Sequence, residues 1–155
     1  MSQNGNGSSA AGTKQFVLHQ LYIKDLSFEA PNSPEVLLNL DADADTQMNI
    51  KNSHRELSDG RYEVILHLSI HTKREDNTVF LLELDQGGVF EISGFNDAEI
   101  QQLIGTHCPS TLFPYARETV SSTIIKGGFP ALVLQPINFD ALFAQSQQQG
   151  NGQPN

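Results

Sequence analysis

No tryptophan occurs among these 155 residues, and there is a single cysteine, Cys108. One thiol rules out an intrachain disulfide. Cations are scarce: nine Lys and Arg stand against eighteen Asp and Glu, for a net charge of −9 and a pI near 4.8. Binding phosphate needs a basic patch, so nucleic acid is excluded as the main partner. An acidic surface suits basic partners, or simply keeps a chain soluble. No apolar run approaches the roughly 18 residues of a membrane span. The first fifteen residues hold no apolar core, so no secretory leader is expected. These absences together lead to a cytoplasmic expectation. Apolar residues make up 38% of the chain. That supports one modest core, and assembly with other copies is expected.

Catalytic and metal-binding constellations fail on spacing. Asp41, Asp43 and Asp45 imitate the start of a calcium loop, but Thr46 stands where Gly is needed and Asn52 where Glu is needed. His67 and His71 share a strand face, yet four strand residues span roughly 13 Å, too far for one zinc ion. Both are expected on a polar sheet face. Cys108 directly precedes Pro109 and reads as a small packed residue. Gly87-Gly88 lacks a following phosphate-loop signature and reads as a bend or bulge. Ser121 and Ser122 have no acid-base partner at fixed spacing. No cofactor, no metal and no enzymatic reaction is expected.

What is present is alternation. From Arg61 to Lys73, Tyr62, Val64, Leu66, Leu68 and Ile70 alternate with mostly polar residues, the mark of a half-buried strand. Arg74 to Asn77 reads as a turn, and Thr78 to Gln86 alternates again, making an antiparallel hairpin. Phe16 to Glu29 reads as a long first strand, apolar on both faces at its start, with Val17, Leu21 and Ile23 opposing Phe16, Leu18 and Tyr22. Thr46 to Ser53 is a weaker strand. Helices follow. Asn96 and Glu99 have the form of a capping box, and Gly105 ends that helix. A second helix is expected from near Pro114, with Phe113, Ala116, Val120 and Ile124 on one side. A third starts after Asn138, with Phe139, Leu142 and Phe143 at helical spacing. Strands first and helices later predict an α+β fold on an antiparallel sheet. Residues 1–13 and 145–155 are expected to lack structure, leaving one domain over 14–144.

Between the last two helices, Gly127 to Ile137 is an apolar loop. Connecting segments normally face water, so this one is expected to pack on the core or line a binding surface. A small-ligand pocket beneath it would need convergent polar groups, and the loop offers only Gln135.

Four blocks in order carry a resemblance. They are Tyr22 to Asn32, Gln86 to Phe90, Leu112-Phe113-Pro114-Tyr115-Ala116-Arg117-Glu118, and Asn138-Phe139-Asp140-Ala141-Leu142-Phe143. Together they resemble the SecB family of protein-export chaperones, over about Phe16 to Phe143. The resemblance implies a four-stranded antiparallel sheet with helices on one face, assembled as a homotetramer, a dimer of dimers. It implies an ATP-independent cytoplasmic holdase that binds unfolded precursor polypeptides and delivers them to the SecA motor, without inserting into the membrane. Asp25, Glu29, Leu81 and Glu83 match family positions that contact SecA. Met48, Ile50, Phe80, Phe90, Leu142 and Phe143 would line the client groove. Relatives often carry a tryptophan after the first strand, where this chain has Leu38 to Ala44 instead. A second reading keeps the scaffold but dedicates it to one partner, such as an antitoxin.

Overall fold

The computed structural model describes residues 13–151. The N-terminal segment expected to lack structure falls outside that range except for Thr13, as do residues 152–155.

Alternation in the middle of the chain builds the sheet. Strands β1 (Gln15–Glu29), β2 (Asp45–Glu56), β3 (Arg61–Arg74) and β4 (Asn77–Ser93) lie in the order β1-β4-β3-β2, all antiparallel. Strands β2, β3 and β4 form a meander, and β1 lies beside β4 as in a Greek key. Val64, Leu66, Leu68 and Ile70 of β3 and Leu82, Leu84, Phe90 and Ile92 of β4 face one side, each at most 2% exposed. Fully burying such a side chain contributes about 1.5–3 kcal/mol, so these positions fix which face is inside.

Strand β4 runs seven residues past Gln86, where the pattern had suggested an end. Gly87 and Gly88 are neither bend nor bulge, for both stay paired with β1 and β3. The irregularities lie across from them, in β1. Leu18 pairs with Phe90 but Gln20 with Val89; Ile23 pairs with Gln86 but Asp25 with Asp85. His19 and Lys24 are therefore extra residues, two β-bulges flanking the glycine pair. Each bulge resets the alternation. Phe16, Leu18, Leu21, Ile23, Leu26 and Phe28 consequently share the face of Ile92, Phe90, Gln86, Leu84 and Leu82. The strand that reads as apolar on both faces is largely apolar on one. Gly87 is needed because the Tyr22 ring crosses it; a Cβ there would lie 2.5 Å from that ring.

Three helices cover the apolar face: α1 (Asp97–Gly105), α2 (His107–Lys126) and α3 (Phe139–Asn151). The Asn96 capping box is formed in both directions: Glu99 N–H donates to Asn96 Oδ1 at 2.8 Å, and Asn96 N–H donates to Glu99 Oε1 at 3.0 Å. Helix α2 starts seven residues earlier than expected. Pro109 takes the first turn, where a missing N–H costs nothing, and Pro114 sits inside on the exposed side. Cys108, Leu112, Phe113, Ala116, Val120 and Ile124 form its buried stripe. Asn138 Oδ1 accepts from Ala141 N–H at the start of α3. The Gln-rich segment from Gln145, expected to lack structure, continues this helix to Asn151. Gln is a good helix former, so a packed first turn can propagate into it. The loop after Gly127 has no regular structure, with Phe129 and Leu134 buried in the core and Val133 left 68% exposed.

Candidate functional site

The two faces of the sheet offer different chemistry. On the outer face, away from the helices, the bulge at Lys24 turns Asp25, Ser27 and Glu29 outward. They stand opposite Asp85, Glu83 and Leu81 of β4. The four residues matched to the motor contact are thus brought together: Asp25, Glu29 and Glu83 are exposed and Leu81 half-buried. Asp85 extends this acidic patch and was not anticipated, because the bulge that aligns it with Asp25 is invisible in the alternation. His67 and His71 do lie on the polar face. His67 Nδ1 bonds to Asp85 Oδ1, and His71 Nε2 bonds to Thr78 Oγ1 at 2.9 Å. Among the described residues no cluster of three or more His, Cys, Asp or Glu is placed to hold a metal ion.

Next to the patch lies a carboxylate that sequence reasoning missed. Glu63 on β3 is 7% exposed. Arg55 Nε donates to it at 2.9 Å, Tyr22 Oη–H at 2.6 Å and Lys24 Nζ at 3.0 Å. These donors come from β2 and β1, so Glu63 ties both edges of the sheet together across β4. The Arg55 bond, then those from Tyr22 and Lys24, hold its carboxyl down to about 2, against the opposing effect of burial. Burial and the Glu63 hydrogen bond push the Tyr22 hydroxyl well above its ordinary range. The second bulged residue, His19, likewise faces a glutamate, Glu91, at 3.5 Å.

On the inner face the helices cover the β2 edge only thinly, with Asn52 Nδ2 of β2 donating to the Ile104 carbonyl of α1 at 2.9 Å, and a trough opens there. A cavity of about 450 Å³ has an apolar wall of Ile50, Leu66, Ile104, Phe139, Leu142 and Phe143, closed by Gly105, and a polar rim of Lys51, Asn52, His54, Gln101 and Ser146. Three anticipated groove residues, Ile50, Leu142 and Phe143, meet in it. Leu142 is 41% exposed. Gly105 does more than end α1: a Cβ there would overlap the Phe143 ring, so the glycine makes the notch in which α3 rests. Farther along the same flank is a smaller cavity of about 160 Å³. It lies between Leu40, Ala42 and Ala44 of the β1–β2 connection and Phe129 to Leu132 of the apolar loop. Its walls from the connection are aliphatic, as the missing tryptophan implied. Thr46 borders this cavity, Ile50 borders the larger one, and Met48 lies between them on the same face, 39% exposed. The outlets therefore lie along one line on β2.

Two anticipated groove residues are core. Phe90 is fully buried, packed against Phe16 at a centroid distance of 5.4 Å. Phe80 is 6% exposed, held between Phe28 at 5.8 Å and Phe129 at 5.1 Å, and only borders the smaller cavity. Both lie on central strand β4, beneath the helices and the loop. Cys108 is also buried, which pushes its thiol up to about 12.

Comparison with known proteins follows the same lines. The family described as preprotein translocase subunit SecB matches residues 9–150. The chain belongs to the SecB family. A protein-export protein SecB from Alkalilimnicola ehrlichii is 46% identical over 145 residues, covering 92% of this chain and 77% of the relative. The SecB of Methylococcus capsulatus is 46% identical over 140 residues, covering 90% of each. Among solved structures, a SecB-like chaperone of Mycobacterium tuberculosis, in complex with a peptide from the HigA1 antitoxin, superposes with a TM-score of 0.67. At 12% identity, over 79% of this chain and 91% of the other, that likeness speaks for the fold alone.

Proposed function

We propose a division of labour for this SecB-family export chaperone: the trough beside β2 holds unfolded precursor chains, and the acidic outer face hands them to the SecA motor. The observation that carries the first half is the apolar trough itself. Soluble proteins avoid exposed apolar concavities unless something binds there. Met48 and Leu142 stand open along it, and its length on β2 suits an extended segment rather than a compact ligand. Flexible Met and flat aromatic side chains accommodate many sequences, as a holdase requires. Binding of this kind needs no nucleotide and no covalent chemistry.

The second half rests on Asp25, Glu29, Leu81 and Glu83 sharing one outward patch. Clustered carboxylates around a leucine suit a basic segment of the motor and would steer its approach. In this reading the copies assemble as a tetramer in the cytoplasm. The free edge of β1 favours assembly: Leu21, Ile23 and Leu26 are 36%, 49% and 39% exposed.

Purified chain should bind a reduced, denatured precursor without nucleotide, and should bind SecA. Glu83→Lys should weaken the SecA complex at least tenfold at low salt and leave precursor binding intact, measured by calorimetry. An unchanged SecA affinity would remove the assigned patch. A monomer indifferent to unfolded chains would remove the whole reading.

A further inference from the structure

Strand β1 has two residues more than the strand it pairs with. Fifteen residues, Gln15–Glu29, lie along thirteen of β4, Leu81–Ser93, because His19 and Lys24 have no partner of their own. A bulge-free register is therefore available to the same chain. Keep Phe16 and Leu18 where they are, smooth out both bulges, and the lower half slides by two residues, about 7 Å. Parity is then unchanged at both ends: Phe16, Leu18, Leu26 and Phe28 still face the helices. Only the middle inverts. Tyr22 and Lys24 would turn toward the helices, and Leu21 and Ile23 toward solvent. Asp25 would come to lie opposite Glu83 rather than Asp85.

Leu21 and Ile23 discriminate weakly between these registers, being already 36% and 49% exposed, while the slide would draw Phe28 from its packing on Phe80 and Phe129 and turn the Lys24 cation inward. The outer face discriminates strongly. Tyr22 and Lys24 reach Glu63 only when both point outward, and three hydrogen bonds at 2.6, 3.0 and 3.1 Å depend on it. The bare backbone of Gly87 gives Tyr22 its path across β4. Charge-assisted bonds to a carboxylate this enclosed are the strong kind.

We propose that Glu63 is the positioning residue of the acidic patch: by holding Tyr22 and Lys24 outward it locks β1 in the doubly bulged register. That register sets Asp25 and Glu29 beside Asp85 and Leu81. The part concerning the motor rests on the reading of the patch given above; the register lock does not.

The test separates the two. In the full-length chain, Glu63→Gln lowers SecA affinity about tenfold or more, while affinity for a reduced, unfolded precursor stays within about twofold. Cysteine pairs report the register, because directly opposite residues cross-link and diagonal ones do so poorly. Ser27→Cys with Glu83→Cys, opposite in the present register, oxidises less readily once Glu63→Gln is added. Asp25→Cys with Glu83→Cys, opposite only in the slid register, oxidises more readily. Deleting both His19 and Lys24 makes the present register the regular one, so in that background Glu63→Gln alters neither cross-links nor SecA affinity. A protein that loses its shape for other reasons gives no such rescue. Unchanged cross-links in Glu63→Gln overturn the lock, as does failure of the double deletion to restore them. Changed cross-links with unchanged SecA affinity overturn the patch and leave the lock standing. If Glu63→Gln fails to fold, Tyr22→Phe and Lys24→Met each remove one donor and give the same readout.

Discussion

The sheet has two edges, and they are built on opposite principles. Strand β2 pairs with β3 through twelve consecutive residues without irregularity. Its side chains are nearly all exposed, and its only half-buried residue is Ile50. Strand β1 is longer, bulged twice and pinned through Glu63. A regular, sparsely covered edge leaves room beside it, which is where the apolar trough opens. A bulged, pinned edge places individual carboxylates. In the proposed reading, one edge would serve partners that share no sequence and the other a partner with a fixed shape.

Substitutions can break this contrast. The largest effect is expected for Phe90→Ala, which empties the core beneath β1 and should cost about 3–5 kcal/mol in urea unfolding. If it instead weakens precursor binding with stability unchanged, Phe90 belongs to the trough after all. Gly87→Ala drives a methyl group into the Tyr22 ring and should cost about 1–3 kcal/mol. An alanine at an exposed β2 position, as in Asn49→Ala, should cost within about 0.5 kcal/mol, and an equal cost there and at Gly87, which supports Tyr22 of β1, would erase the distinction between the edges. Phe143→Ala should weaken precursor binding by about 1 kcal/mol and leave SecA binding alone.

A further effect concerns acid. Glu63 is held at about 2 in the folded chain against an ordinary value of 4.5. A depressed carboxyl contributes its stability in full above about 4.5 and loses it as pH falls toward 2. Glu63→Gln should therefore flatten the acid limb of the stability curve in that window. A limb as steep as the parent's would assign acid sensitivity to other carboxylates.

Much of the fold was legible because most of its elements obey one period. Strand β3 alternates with the single exception of Ile65, and Asn96 with Glu99 spells out a helix start. The bulges in β1 were not legible, since a residue inserted between two alternating runs looks like a strand apolar on both sides. The local signs were Gln20 and Lys24, polar residues at positions that plain alternation would point inward. The start of α2 was hidden because Pro109 and Pro114 both suit a first turn. As for the proposed binding surfaces, the assignment of Asp25, Glu29, Leu81 and Glu83 rests on family resemblance alone. Glu63 escaped because two of its three donors, Tyr22 and Lys24, lie 41 and 39 residues away in the chain. Phe80 and Phe90 went astray because alternation gives a face but not a depth: β4 is central, and whatever it presents to the helices is sealed.

One feature of α3 bears on how the trough would work. Its grip on the body is confined to its first turns, where Phe139 meets Phe113 at 5.9 Å and Phe143 rests in the Gly105 notch. From Ala144 to Gln149 every residue is exposed. A wall fastened at one end and free along the rest has few contacts to surrender when it is pushed aside. If the trough holds precursor chains as proposed, a bulky segment and a slender one could be seated by the same cleft, its width set by the guest.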